Sequence, residues 1–271
     1  MPKLIPVYTE NNDYQKFEVL KRNRNKRHKY QEFFVEGVRN INGALRRNWT
    51  IQAFLYAKDK KLSQWGADIL ASSRAKFHYE LYSGLMDKLS DKEETSELIA
   101  IVSMPPDDPS RIKAEGPLLA VVFDRPSNRG NLGTILRSCD ALGAHGLIMT
   151  GHAVDLYDPE TIRATMGSFF HVPSIRMDAP QQVEDWVSRM RGEHPGLQVV
   201  GTSAHGSINV QEADLTKPTV LLIGNETEGL SFKYKEMCDT LVKIPMVGSA
   251  SSLNVASAAS ILLYEAARQR G

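Results

Sequence analysis

An apolar strand that runs into a glycine-rich acidic turn, near the C-terminus, constrains the fold of this chain more than any other pattern. Residues 220–223 are apolar, and Gly224 and Glu226 follow directly. Such a turn presents backbone N–H groups and a carboxylate at the carboxyl end of a strand, which is where open α/β sheets bind ligands. The pattern predicts a parallel α/β sheet with a ligand site at this edge.

A second corner of the same kind follows. A short strand predicted at 240–244 leads into a loop that contains Pro245, and a helix rich in small residues then runs to about Arg270. Ser252 and Asn254 are residue types that cap helix N-termini. Two such corners in one short segment predict a single ligand that is held largely by main chain.

Length and composition limit the class of protein. A chain of 271 residues has room for one large or two modest domains, and 42% hydrophobic with 24% charged residues is typical of soluble globular proteins. The net charge of +1 gives no global sign of nucleic-acid binding. Cys139 and Cys238 fit neither a disulfide framework nor a metal site, which favours reduced thiols. Because we find no membrane span or signal peptide, we expect a cytoplasmic protein.

Basic residues are concentrated in residues 1–30, which hold eight Lys and Arg against three Asp and Glu. Most of them lie in the run at 21–29. Such runs are either solvated tails or arms that contact phosphates, because clustered Lys and Arg release counterions from a polyanion. We therefore expect a basic N-terminal arm, with both roles open.

Residues 31–104 alternate between strand and helix patterns. The predicted strands are 33–35, 51–57, 77–81 and 98–103, and the predicted helices are 37–47, 60–73 and 83–89. This alternation indicates a small three-layer α/β domain. Arg39, Arg46 and Arg47 lie on or near one helix, but no catalytic cluster accompanies them, so we expect a binding module. The prolines and charges of 105–117 then predict a linker.

The C-terminal domain is predicted to span 118–271 and to contain about six parallel strands. Its first strand, 118–123, leads through an Asn/Arg/Gly-rich turn to a helix that starts near Gly130. Helical spacing places Leu132, Ile135, Leu136, Cys139 and Leu142 on one stripe. Arg137 falls on the opposite side. The turn suits an anion, because the N–H groups at a helix N-terminus favour negative charge.

Several familiar sites are excluded. Neither glycine-rich turn is a P-loop, and no G-x-G-x-x-G follows the first strand of either domain. The seven histidines show no zinc-ligand spacing. The absence of a G-x-S-x-G elbow disfavours an α/β-hydrolase.

Three ordered segments resemble the SpoU (TrmH-like) family of the SPOUT class of RNA ribose methyltransferases. They are NRGNLGTILRS (128–138), IGNETEGL (223–230) and IPMVGSASSLNV (244–255), and RATMG (163–167) is similar to the family's intermediate element. The 31–104 domain resembles the family's L30e-like substrate-binding domain. The resemblance implies a parallel-sheet α/β-knot catalytic domain with a deep C-terminal trefoil knot, and a homodimer through that domain. Residues 257–260 are small enough for the close helix packing that a knot requires.

The implied reaction moves a methyl group from S-adenosyl-L-methionine to a ribose 2′-hydroxyl of RNA. A sulfonium methyl is already electrophilic, so we expect no metal and no membrane partner. The residues that the resemblance assigns to catalysis are Arg137, Asn131, Glu226, Ser252 and Asn254. Those assigned to cofactor binding are Thr202, Gly224, Ile244, Met246 and Leu253. For Ile244 and Leu253, ordinary core packing is an alternative interpretation.

Arg137 is a poor general base, because its guanidinium stays protonated near neutral pH. We expect it to bind the phosphate beside the target ribose and to stabilise developing alkoxide charge. It could act as a base only if its surroundings deprotonated it. Glu226 would orient Arg137 or Asn131, and the acceptor of the 2′-hydroxyl proton stays open.

Ribosomal RNA of the 23S type is the expected substrate. A separate N-terminal domain, and a chain that ends soon after the final helix, favour it over transfer RNA. An antibiotic-resistance ribosomal methylase is a variant of the same chemistry. An RNA-binding scaffold on the same fold is the non-enzymatic alternative, disfavoured by the intact set of catalytic residues, and a nicotinamide enzyme is a distant third.

Overall fold

The computed structural model describes residues 2–271, and the chain forms two compact units. The N-terminal unit comprises the chain up to Pro105 together with Asp155–Phe170. The C-terminal unit comprises Pro106–Val154 and His171–Gly271. The chain therefore leaves the C-terminal unit once, at Asp155, and returns to it at His171.

The elements follow the predicted alternation. The strands are β1 (Lys3–Val7), β2 (Glu32–Glu36), β3 (Ile51–Ala57), β4 (Phe77–Leu81), β5 (Leu98–Ser103), β6 (Leu119–Asp124), β7 (Gly146–Thr150), β8 (Ser174–Met177), β9 (Gln198–Thr202), β10 (Ile208–Asn209), β11 (Thr219–Ile223) and β12 (Thr240–Lys243). The α-helices are α1 (Asn12–Arg22), α2 (Arg24–Tyr30), α3 (Val38–Arg46), α4 (Gln64–Ser72), α5 (Ser83–Leu89), α6 (Arg129–Ala141), α7 (Pro159–Ala164), α8 (Pro180–Glu193), α9 (Phe232–Glu236) and α10 (Val255–Arg270). Short 3-10 helices lie at Pro109–Arg111, Ser168–Phe170 and Val210–Glu212.

The N-terminal unit is built on a sheet with the order β1-β4-β3-β5-β2. Strand β5 runs antiparallel to its neighbours β2 and β3, and the other pairs are parallel. Phe17 of α1 and Met86 of α5 pack with Leu55 and Tyr79 of the sheet in one buried cluster. The α/β architecture predicted for this region is confirmed.

The first thirty residues differ from the expected arm. Strand β1 pairs with β4 at the edge of the sheet, and Asn11 and Asn23 cap α1 and α2. Tyr14, Phe17 and Leu20 are buried at helical spacing. These apolar residues precede the basic run at 21–29 and form the buried face of an amphipathic helix that was not predicted from the sequence.

The segment 155–170 also differs from prediction, because it belongs to the N-terminal unit rather than to a continuous 118–271 domain. Its aromatic residues Tyr157, Phe169 and Phe170 pack around Phe33, with ring centroids 4.9–6.4 Å from it. Burial of these large apolar rings stabilises the segment in the N-terminal unit, although its neighbours in sequence belong to the C-terminal unit. Within this segment α7 ends at Ala164, and Met166 and Gly167 then adopt positive φ of 54° and 101°, which no helix continues through.

The C-terminal unit contains a fully parallel sheet with the order β10-β12-β9-β11-β6-β7-β8. Six of these strands were predicted, and only the two-residue β10 was missed. Trp186 of α8 and Tyr234 of α9 pack with Val122 and Leu222 in one core cluster. The alternate strand residues, such as Val121, are also fully buried, so both faces of the sheet are covered.

Helices α6 and α10 pack against each other. Ser138 Oγ and Ser260 Oγ lie 2.7 Å apart at this contact. The buried stripe predicted on α6 is confirmed for Leu132, Ile135, Leu136 and Cys139, which are all fully buried. The trefoil knot stays a prediction. Within residues 2–271 no helix combines the length and the apolar character needed to cross a membrane.

Candidate active site

A cavity of about 450 Å³ opens at the carboxyl ends of β9, β11 and β12. Its walls come from three stretches, 202–205, 224–230 and 244–258, with contributions from α9 and β12. Every predicted cofactor-binding residue lines it: Thr202, Gly224, Ile244, Met246 and Leu253. The two corners recognised in the sequence therefore form one cavity, as expected from the parallel sheet.

The first corner is a tight loop that has no room for a side chain at Gly224. A Cβ there would lie 2.3 Å from the carbonyl carbon of Gly229 and from the nitrogen of Leu230. Asn225 and Gly229 form a β-bridge across the loop. Asn225 Oδ1 accepts the backbone N–H of Thr227 at 2.8 Å, so the loop supplies its own polar partners.

The side chains of Asp124 and Arg125 fix the position of this loop through hydrogen bonds and an ion pair. Asp124 is buried and accepts the backbone N–H of Ser231 at 3.0 Å. Arg125 donates to Asp124 at 3.1 Å and also pairs with Glu228, and these bonds raise the pKa of Arg125 above its ordinary value. Neither residue has a role predicted from the sequence. The feature that could have indicated one is a charged residue, Asp124, at the end of an apolar strand.

Glu226 is the centre of the polar network. It accepts the backbone N–H and the hydroxyl of Ser127 at 3.0 and 2.8 Å, and the backbone N–H of Asn128 at 3.1 Å. Asn131 Nδ2 donates to it at 3.3 Å. Burial alone would raise the pKa of Glu226, but the hydrogen bonds from Ser127 and Asn131 outweigh it and lower the pKa below its usual value. The carboxylate therefore stays ionised and orders the turn before α6.

The network reaches the last helix through Asn254. Its Nδ2 donates to Asn131 Oδ1 at 3.1 Å, and its Oδ1 accepts the backbone N–H of Ala256 at 2.9 Å as the cap of α10. Three of the predicted catalytic residues, Glu226, Asn131 and Asn254, thus form one chain of hydrogen bonds. Glu226 and Ser252 also line the cavity, whereas Asn131 and Asn254 are not among its described lining residues.

Arg137 lies apart from this network. It is exposed on α6 and, within residues 2–271, makes no hydrogen bond or ion pair and does not line the cavity of its own chain. Helical rise separates it from Asn131 by about 9 Å along the axis. The structure therefore leaves the guanidinium available to a ligand or to a second chain.

Several lining residues were not assigned by sequence analysis. They are Ser203, Ala204, His205, Asn225, Thr227, Glu228, Gly229, Leu230, Lys235, Val242, Val255 and Ala258. Most belong to the loops that the sequence pattern singled out. Lys235 lies on α9, and nothing in its local sequence distinguished it from a solvated helix lysine.

We predict that Glu226→Gln lowers the free energy of unfolding at pH 7 by about 1–2 kcal/mol, a value kept low because the side chain is partly exposed. The folded-state pKa of Glu226 is lowered, so its stabilisation is present above the unfolded pKa of about 4.3 and is lost as the pH falls through the folded value. Urea unfolding from pH 7 to pH 3.5 should show the difference from wild type shrinking below about pH 4.3. Glu236→Gln, at an exposed position of α9, is the control. A difference that is independent of pH would contradict the role given to the carboxylate.

Comparison with known proteins agrees with this geometry. The model of the SpoU rRNA methylase family matches residues 118–264, and the model of the SpoU L30e-like domain matches residues 11–100. The 23S rRNA (uridine(2479)-2′-O)-methyltransferase of Streptomyces viridochromogenes is 45% identical over 99% of this chain and 94% of its own length.

Solved structures give the same result. The SpoU methyltransferase AviRb from Streptomyces viridochromogenes, in complex with the cofactor AdoMet, is similar with a TM-score of 0.92 and 46% identity over 96% of this chain and 98% of that one. An AdoMet-bound rRNA methyltransferase from Sinorhizobium meliloti has a TM-score of 0.84 and 32% identity, covering 98% of both chains. This chain belongs to the SpoU rRNA methylase family.

Proposed function

We propose that this protein is an enzyme that transfers a methyl group from S-adenosylmethionine to a ribose 2′-hydroxyl of RNA, with ribosomal RNA of the 23S type as its substrate. The observation that supports it most is the cavity at the carboxyl ends of β9, β11 and β12, which all the predicted cofactor residues line. The relative that is 45% identical over nearly the whole chain is named for methylation of a 23S rRNA uridine. A uridine is therefore the first nucleotide to examine.

The cavity suits the cofactor in size and in character. Its volume of about 450 Å³ lies within the range of sites for ligands of this size. The lining offers apolar contacts for adenine from Leu230, Ile244 and Leu253. The loop at 224–230, called the Gly224 loop, offers backbone groups. When bound, S-adenosylmethionine supplies an electrophilic methyl group on a positively charged sulfur.

The residues of this chain would contribute position and charge. Glu226 and Asn131 hold the first turn of α6 in place, and Asn254 joins it to the start of α10. Correct placement of two reactants can supply a large part of a rate enhancement. Arg137 would bind the phosphate beside the target ribose and stabilise the developing alkoxide, because a guanidinium that stays protonated cannot act as a base.

A homodimer through the C-terminal unit is part of the proposal. Tyr264 and Ile261 of α10 are 59% and 37% exposed, and Val247 in the loop before it is fully exposed. Exposed apolar residues of this kind mark protein interfaces. Arg137 lies on α6, which packs against α10, and would be available to the partner subunit's cavity.

We expect Tyr264→Glu combined with Ile261→Glu to convert the dimer to a monomer, because two buried charges would oppose association. Sedimentation velocity measures the change. Glu replacement of Tyr82, which is 48% exposed in the N-terminal unit, is the matched control and should leave the dimer intact. A wild-type monomer, or a double variant that still dimerises, would contradict this interface.

The decisive experiment supplies purified protein with S-adenosylmethionine and with ribosomal and transfer RNA from a strain that lacks the gene. Mapping of 2′-O-methyl groups should show a new methyl group on 23S-type RNA. Methylation of transfer RNA alone would favour the transfer-RNA alternative. Absence of heat on titration with S-adenosylmethionine would favour the RNA-binding scaffold. A cytoplasmic location is proposed with the function, because both substrates are found there.

A further inference from the structure

The ionisable side chains that line the cavity differ in whether they already have a hydrogen-bond or ion-pair partner within the protein. They are His205, Glu226, Glu228 and Lys235. Glu226 accepts hydrogen bonds from Ser127 and Asn131, and Glu228 pairs with Arg125. Lys235 makes no side-chain hydrogen bond or ion pair within residues 2–271, and among the described lining residues it is the one lysine or arginine.

The backbone beneath Lys235 is held in place. Helix α9 begins directly after the Gly224 loop, and its first turn is anchored where Asp124 accepts the backbone N–H of Ser231 at 3.0 Å. Tyr234, the neighbour of Lys235, is 1% exposed and packs in the core of the C-terminal unit. The helix is therefore fixed beside the cavity, while the ammonium group stays free to move.

We propose that Lys235 binds the α-carboxylate at the amino-acid end of S-adenosylmethionine, an assignment that rests on the proposed function. The cofactor has an uncharged adenosine, a cationic sulfur, and an amino-acid end with a carboxylate and an ammonium group. A lysine attracts only the carboxylate and repels both the sulfonium and the ammonium group, so it favours the pose in which the carboxylate is the group nearest to it. Lys235 would thus select which end of the cofactor lies beside α9, and without it the cavity lining would offer that carboxylate only Glu226 and Glu228 as charged neighbours.

Calorimetric titration of the full chain with two uncharged-sulfur ligands tests this. S-adenosylhomocysteine keeps the amino-acid end, whereas 5′-methylthioadenosine lacks it. Lys235→Met should weaken S-adenosylhomocysteine binding roughly three- to tenfold at low salt and leave methylthioadenosine binding unchanged within about twofold. The loss should shrink as salt is raised, because the lysine is exposed.

Two further variants serve as controls. Lys233→Met removes the same charge from the same helix at a position that does not line the cavity, and it should alter neither affinity. Lys235→Arg should retain S-adenosylhomocysteine binding. Equal weakening of both ligands by Lys235→Met, or no weakening of either, would overturn the assignment and leave the proposed function intact. A wild-type protein that binds neither ligand would instead overturn the proposed function.

Discussion

Replacing Arg137 with lysine is expected to lower the rate of methyl transfer to RNA by about two to three orders of magnitude, while the affinity for S-adenosylmethionine stays within about twofold of wild type. Lysine keeps the positive charge but loses the planar pair of donors that grips a phosphate at two points. Arg137 does not line the cavity of its own chain, and its proposed ligand is a phosphate of RNA, so the substitution should leave cofactor binding unchanged. Single-turnover methyl transfer and calorimetry measure the two quantities separately.

The matched control is Arg189→Lys, an exposed arginine on α8 of the same unit, for which the rate should not change. A rate within tenfold of wild type for Arg137→Lys would show that bidentate contact is not required. Loss of cofactor affinity in the same variant would show that Arg137 acts on the cofactor rather than on RNA. Either result would remove the role proposed for this residue.

Arg27→Met is expected to lower the free energy of unfolding of the N-terminal unit by about 3–5 kcal/mol. Arg27 is 1% exposed and lies 2.6 Å from Asp155 and 3.3 Å from Asp158. It also donates to the carbonyl oxygen of Leu20 at 2.9 Å. Methionine fills much of the same volume, but it leaves the buried carboxylate of Asp155 without its cationic partner and removes the Arg27 donor to the Leu20 carbonyl, which is the costly case.

Urea unfolding of the full chain measures the effect. The double variant Arg27→Met with Asp155→Asn should regain part of the lost stability, because the uncompensated charge is then removed. Arg22→Met is the control. The Arg22 side chain is 68% exposed and its ion pair with Glu18 is long at 3.8 Å, so this substitution should lower the free energy of unfolding by less than about 0.5 kcal/mol. A small loss of stability in Arg27→Met would mean that water readily solvates the Asp155 carboxylate in the variant, and it would contradict this prediction.

The environment of Arg27 differs from the one that the sequence predicts. Arg27 belongs to the basic run at 21–29 for which a solvated tail and a phosphate-contacting arm were both considered. The structure shows that Arg27 is neither, because its partner Asp155 is 128 residues away in the chain. Lys21 is engaged as well, with its Nζ 2.6 Å from Asp91. No local pattern could indicate these partners.

The candidate site was more accessible to prediction than the domain arrangement. Thr202, Gly224 and Ile244 each follow or end a strand, and parallel strands bring their carboxyl ends to one edge, so a correct assignment of strands places these residues together. Of the two contacts expected for Glu226, the structure forms the one with Asn131, whereas within residues 2–271 it forms none with Arg137. Lys235 was missed because a single lysine on a short helix looks the same whether it faces solvent or a cavity.

The sequence by itself determined most of the strands and helices after residue 30, the cavity-forming corners and the membership of a methylase family, since these depend on periodicity and on residues close together in the chain. Tertiary structure alone decided that the first thirty residues join the N-terminal sheet, that Asp155–Phe170 leaves its neighbours for that unit, and that Arg137 stands free of its own cavity. The reason is physical: burial of a charge or an aromatic ring is stabilised by partners that are distant in sequence, and only the folded chain brings those partners within contact distance.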